Sequence, residues 1–156
     1  MKSRKAPEPK LLGHLEHGAM LNLLGYHLAQ ASIPTNSAFK KHISDVYQLN
    51  KVEFTTLMLL KENQNLTPKR LSLALNMPAS NLTLLLDRIE KRKLIERNQS
   101  IDDRRVQNIS LTPSGTKLTE KLKKVCNVME DDILSHITKA EQEILFELLR
   151  KIARHR

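Results

Sequence analysis

The sequence predicts a mainly α-helical chain carrying one small β-hairpin. Apolar residues recur at helical spacing along most of its 156 residues. Two β-prone segments, Leu94 to Asn98 and Val106 to Leu111, flank a polar loop from Gln99 to Arg105. Hydroxyl residues followed by proline, Thr67-Pro68 and Thr112-Pro113, mark helix starts on either side of that hairpin.

In chain order, residues 1–10 read as a flexible basic arm. From Leu11 to about Ser32, Leu12, Leu15, Ala19 and Leu23 repeat with Met20, Leu24, His27, Leu28 and Ala31 on adjoining rows, which predicts a helix with a wide, nearly uncharged apolar face. A small domain has little use for so apolar a first helix, whereas a subunit interface does. Pro34 pushes its predecessor away from helical geometry and predicts an interruption over Ile33 to Asn36. A helix resumes over Ser37 to Tyr47. Another follows from Asn50, a capping residue, to Asn63, burying Phe54, Leu57, Met58 and Leu60. After Thr67-Pro68 a short helix carries Leu71, Ala74 and Leu75, and Asn76-Met77-Pro78 breaks it. The next run sets Leu82, Leu85, Leu86 and Ile89 on one side and Ser80, Asn81, Thr83, Asp87 and Arg88 on the other. Beyond the hairpin, Leu118, Leu122, Val125, Met129, Ile133 and Ile137 predict a long helix, and a last one over about Lys139 to Ala153 is expected to bury Ile144, Leu145, Leu148, Leu149 and Ile152.

Two short helices joined by a tight turn, the second with small polar groups near its start, suit a reader of the major groove, which admits a helix. With the basic-tipped hairpin behind them they form a winged helix-turn-helix. The boundaries expected are 1–10 for the arm, 11–49 for amino-terminal dimerisation and linker helices, 50–112 for the DNA-binding region and 113–156 for carboxy-terminal dimerisation helices, all in one integrated domain.

Composition agrees. The net charge is +9 with pI near 9.8. The excess sits on residues 1–10 (+3) and 50–112 (+4), where phosphate contacts would use it, while residues 11–49 are neutral. The plain alternative is a solvated basic surface. Aromatic residues are 3 % with no Trp, which argues against a reader that stacks bases or sugars on rings. With four glycines there is no phosphate-cradling loop. The single Cys126, among apolar positions, reads as a structural thiol rather than a redox switch. The basic amino terminus lacks a signal-peptide core and no apolar run approaches a membrane span, so a soluble, cytoplasmic protein is expected.

The run Asp102-Asp103-Arg104-Arg105, followed six residues on by Leu111-Thr112-Pro113-Ser114-Gly115, resembles the wing and wing-to-helix junction of the MarR family of bacterial regulators. Glu53-Phe54 before Leu57, and Leu86-Asp87-Arg88-Ile89-Glu90 before Leu94-Ile95-Glu96-Arg97, resemble it too. The likeness covers roughly Leu23 to Leu122. It implies a homodimer clasped by its terminal helices that binds a pseudo-palindromic double-stranded operator, represses adjacent genes, and lets go when a small effector binds between dimer region and reading head. The implied effector is an aromatic acid or its coenzyme A thioester, and the segment Leu24-Gly25-Tyr26 resembles the subgroup that controls aromatic-acid catabolism. Lys93 stands where the family often has glycine; a left-handed residue there would cost Lys about 1 kcal/mol, an argument for a different turn. Leu84 replaces an arginine that faces DNA in many members, and Pro78 replaces a common hydroxyl cap.

Ser80, Asn81, Thr83 and Arg88 are thus candidate base or phosphate contacts, against the reading of an ordinary polar helix face. By resemblance, Asp103 steers Arg105 into the minor groove, whose narrowness concentrates negative potential, and Arg104 meets phosphate. His17, Met20, Leu24, Phe39 and His42 are the candidate effector-lining residues, along the wall of a cleft made by the uncharged first helix. The six histidines show no tight ligand spacing, so neither metal nor cofactor is expected. No Ser/His/Asp or Cys/His arrangement stands in recognisable context, which points away from an enzyme, and Asp131-Asp132 reads as surface charge. An architectural or protein-binding winged helix without a sensor is the alternative.

Overall fold

A computed structural model describes residues 15–64, 66–99 and 107–155. After a 3₁₀ turn at Gly18–Asn22, α1 runs from Leu24 to Phe39, passes into a π-helical turn at Lys40–Ser44 and ends as α2, Asp45–Tyr47. The described chain therefore has an extended residue at Leu23 inside the expected first helix, and no break at Pro34, which lies within α1. Proline removes one ladder donor but leaves the rest of the helix intact. Around it the hydroxyl of Ser32 donates to Ala29 O at 2.7 Å and that of Thr35 to Ser32 O at 3.0 Å and Ala31 O at 3.1 Å. The rod stops at Gln48, which is left-handed (φ 54°).

Asn50 then opens α3 (Lys51–Glu62) with a reciprocal capping box. Thr67 caps α4 (Pro68–Leu75), its hydroxyl accepting from Arg70 N. Asn76 takes the left-handed position that ends α4 (φ 47°), where Met77 N–H donates to Ser72 O, and α5 follows over Ala79–Lys91. Strands β1 (Ile95–Gln99) and β2 (Gln107–Leu111) pair antiparallel, Ile95 opposite Leu111 and Gln99 opposite Gln107. Leu66 adds an isolated antiparallel bridge to Ile109, a pairing absent from the sequence reading. Thr112 caps α6 (Pro113–Leu134), and Thr138 caps α7 (Lys139–Ala153) with a second capping box. Ile137, expected within the long helix, lies instead in the link between α6 and α7.

The core gathers Leu57 and Leu60 of α3, Leu71 of α4, the α5 stripe Leu82, Leu85, Leu86 and Ile89, then Ile95, Ile109 and Leu122. Phe54 and Met58 are half-buried at its edge. Both ends of the described stretch differ from this. The helix α7 buries none of its residues within the chain: Ile144 is 57 % and Leu148 51 % exposed. The expectation that these side chains are buried therefore fails for a single subunit, because no other part of the described chain covers them. Leu23, Leu24, Leu28 and Ile33 are exposed likewise.

Candidate nucleic-acid interface

The periodicity of α5 decides what it offers. Its four buried residues form one stripe, each worth roughly 1.5–3 kcal/mol on burial, and hold the helix against the core. Ser80, Asn81, Thr83, Leu84 and Arg88 all stay exposed. The first turn contains no acid, so the positive helix end meets solvent without an internal counter-charge. Pro78 occupies the cap position and makes no side-chain cap bond. The Thr83 hydroxyl donates back to Ala79 O at 3.0 Å and remains free to accept. Beside this face runs an open groove of about 560 Å³ lined by Asn50, Lys51, Val52, Met77, Asn81, Leu84, Leu85 and Arg88. Arg88 thus stands between the exposed face and the amino end of α3.

The turn after α5 keeps the geometry usual for glycine, with Lys93 in it. Lys93 has φ 57°, its N–H donates to Glu90 O at 2.7 Å, and Leu94 N–H reaches back to Ile89 O at 3.3 Å. Both bonds belong to a Schellman ending, and Ile89 and Leu94, the residues such an ending brings together, are both buried in the core. The different turn argued from Lys93 is therefore not found.

Two arginines that sequence reasoning passed over fix this helix in place. Arg97 of β1, with its side chain 18 % exposed, donates to Asp87 and lies 3.4 Å from Glu90, tying the wing's root to α5. Asp87 is thereby a partner inside the protein rather than one of a free polar row. Arg92, past the end of α5, donates through its two terminal nitrogens to Gln48 O at 2.7 Å and Tyr47 O at 2.9 Å. It joins the end of the α1–α2 rod to the reading head. The Arg92 contacts span more than forty residues and those of Arg97 cross from strand to helix, all between polar groups, so no periodicity announces them.

Asp103, Arg104 and Arg105 lie outside the described residues. The proposed effector residues fall in two places. His17 Nδ1 pairs with the Tyr26 hydroxyl near the amino-terminal turn, and Met20 and Leu24 are exposed there. Phe39 packs edge-on against Phe54, with centroids 5.5 Å apart. His42 Nε2 lies 2.6 Å from Asp132 of α6, whose same oxygen accepts from Lys41 Nζ at 2.7 Å. Asp132 is therefore more than surface charge. The bonds from Lys41 and then His42 hold its carboxyl below the usual value near 3.8. Cys126 is half-buried, and burial, with Glu130 adding to it, pushes its thiol up, away from the reactive thiolate.

A capped helix-turn-helix, its second helix pinned by a two-stranded wing and showing a polar, acid-free start, defines the molecule as a winged helix-turn-helix DNA-binding regulator. The model of the MarR family matches residues 49–106. A putative transcriptional regulatory protein for the hcr operon of Thauera aromatica is 26 % identical over 98 % of this chain and 92 % of its own length. The HTH-type transcriptional regulator PrsX of Escherichia coli is 31 % identical over 80 % of this chain and 77 % of its own. Among solved structures, the transcriptional repressor CouR bound to a 23-mer DNA duplex matches with a TM-score of 0.81 at 28 % identity, over 89 % of this chain and 98 % of that one. The chain belongs to the MarR family. Among the described residues, no helix is long and apolar enough to cross a membrane.

Proposed function

We propose that this regulator is a repressor that binds a pseudo-palindromic operator as a homodimer and leaves it when a small aromatic acid, or its coenzyme A thioester, binds. One observation carries the dimer: the first and last helices of the described residues leave apolar side chains exposed, and no residue of α7 is buried among the described residues. A soluble chain covers such a surface with a partner, and a two-fold partner sets two reading heads on one face of a duplex, as half-sites about one turn apart require. Ser80, Asn81, Thr83 and Arg88 then meet bases and phosphates in the major groove. Asp103, Arg104 and Arg105 at the wing tip serve the flanking minor groove and its phosphates.

The effector acts by population shift, preferring a dimer whose heads are wrongly spaced. His17, Met20, Leu24, Phe39 and His42 are its proposed contacts. They sit on or just before the rod that Arg92 joins to α5. Movement of the rod against the partner is thus transmitted to the recognition helix.

The test is binding to a labelled duplex that the wild-type protein has selected from a random-sequence pool, at moderate salt. Arg105→Ala is expected to weaken it by roughly ten-fold, the scale of one good arginine contact. Unchanged binding would show that the wing does not reach DNA. Aromatic acids and their thioesters are screened for release of the same duplex. Weak sequence preference together with no release by any of them would favour an architectural protein instead.

A further inference from the structure

We infer that Glu53 is a positioning residue for Arg88, orienting its guanidinium through Nε so that the two terminal nitrogens are left for the duplex. The inference rests on the reading of α5 as the helix that enters the major groove. Glu53 belongs to a different element, the first turn of α3, and is buried there. Its Oε2 accepts the Asn50 N–H at 3.0 Å, while its own N–H donates to Asn50 Oδ1 at 2.9 Å. With one oxygen committed to the cap, the carboxylate cannot rotate freely, and its other oxygen is presented in one place. That oxygen lies 3.7 Å from Arg88 Nε.

The two partners are unequally held. The Glu53 side chain is 10 % exposed and that of Arg88 62 %, so the acid is set by the fold and the arginine is the part being oriented. A half-exposed pair of this length contributes little stability. Its consequence is geometric. Guanidinium carries five donors in a planar fork, and a carboxylate held 3.7 Å from Nε attracts that edge as a charge, without a hydrogen bond, and leaves Nη1 and Nη2, the pair that spans N7 and O6 of guanine or two phosphate oxygens. The cap itself has no need of the charge, since glutamine closes a capping box as glutamate does. A carboxylate beneath a surface that approaches phosphate also repels it. Both points favour a role in orienting Arg88 over a role in capping alone.

Glu53→Gln separates the two roles, because it keeps the acceptor for Asn50 and removes the charge facing Arg88. With Arg88→Ala and the double variant it completes a cycle, read by fluorescence anisotropy on the duplex selected by the wild-type protein, with thermal melting alongside. Arg88→Ala is expected to weaken binding roughly ten-fold. Glu53→Gln is expected to weaken it roughly three-fold or more, melting within about 2 °C of wild type, and to add nothing once Arg88 is alanine. If Arg88→Ala weakens binding but Glu53→Gln does not, or the two losses simply add, the positioning role is overturned and the reading of α5 stands. If Arg88→Ala binds as the wild type does, the contact assigned to Arg88 falls and the positioning role with it. A Glu53→Gln protein that fails to fold also overturns it, since the cap bonds remain open to glutamine.

Discussion

Lys93 shows how a single residue can sit against its own preference. At φ 57° its Cβ crowds the backbone, a cost of about 1 kcal/mol that glycine would escape, yet two backbone bonds and the burial of Ile89 and Leu94 on either side hold it there. Lys93→Gly should therefore raise stability by roughly 0.5–1 kcal/mol, less than the full steric relief because glycine also loosens the unfolded chain, and so lift the melting temperature by about 1–4 °C. A lower melting temperature would mean that the lysine makes a compensating contact. The cost is legible in the sequence, but it does not change the turn, because the backbone bonds of the helix ending and the burial of Leu94 outweigh one residue's preference. Pro34 teaches the same lesson. Its local penalty was legible, but the helix on both sides and the hydroxyls of Ser32 and Thr35 carry the rod past it. Arg88, by contrast, was legible as an exposed polar residue of α5, while its buried neighbour Glu53 was visible only as part of a motif.

At the scale of elements, what was readable was whatever is local. The caps Asn50, Thr67 and Thr112 and the stripe Leu82, Leu85, Leu86 and Ile89 announce themselves by spacing, and α3, α4, α5 and α6 begin where those residues say. How elements meet was not readable, because Arg97 with Asp87, Arg92 with Tyr47, and Leu66 with Ile109 depend on chain segments brought together only by folding. Gly115 belongs with them. It appeared in the sequence as one letter of a junction motif, but the structure gives it a steric reason. A Cβ built there would overlap the Leu94 carbonyl oxygen and stand 3.0 Å from its carbon. That carbonyl is itself fixed, accepting the Thr112 N–H at 3.1 Å. The first turn of α6 thus lies directly on the start of the wing, and Gly115→Ala must push the two apart. A loss of about 1–3 kcal/mol is expected, measurable by urea denaturation, with α6 and β1 loosening together in hydrogen exchange. Wild-type stability in that variant would place the contact wrongly.

At the scale of the whole molecule, the two halves of the account depend on each other. Among the described residues, the reading head has a packed core and a helix pinned from two sides, whereas Leu145 and Leu148 of α7 stay exposed with no described residue burying them. The proposed pairing resolves that mismatch and gives a palindrome two readers. Charge follows the same division: residues 11–49 are neutral and suited to burial against a partner, while 50–112 are basic and suited to phosphate. The direct measurement is the sedimented mass of the protein on a duplex it has selected, compared with that of a Leu145→Glu, Leu148→Glu variant. Two chains of 17.9 kDa per duplex are predicted, with protection of two half-sites about 10 base pairs apart, and the variant should sediment as a single chain with binding lost. One wild-type chain per duplex, or a variant that still pairs and still binds, would contradict the account.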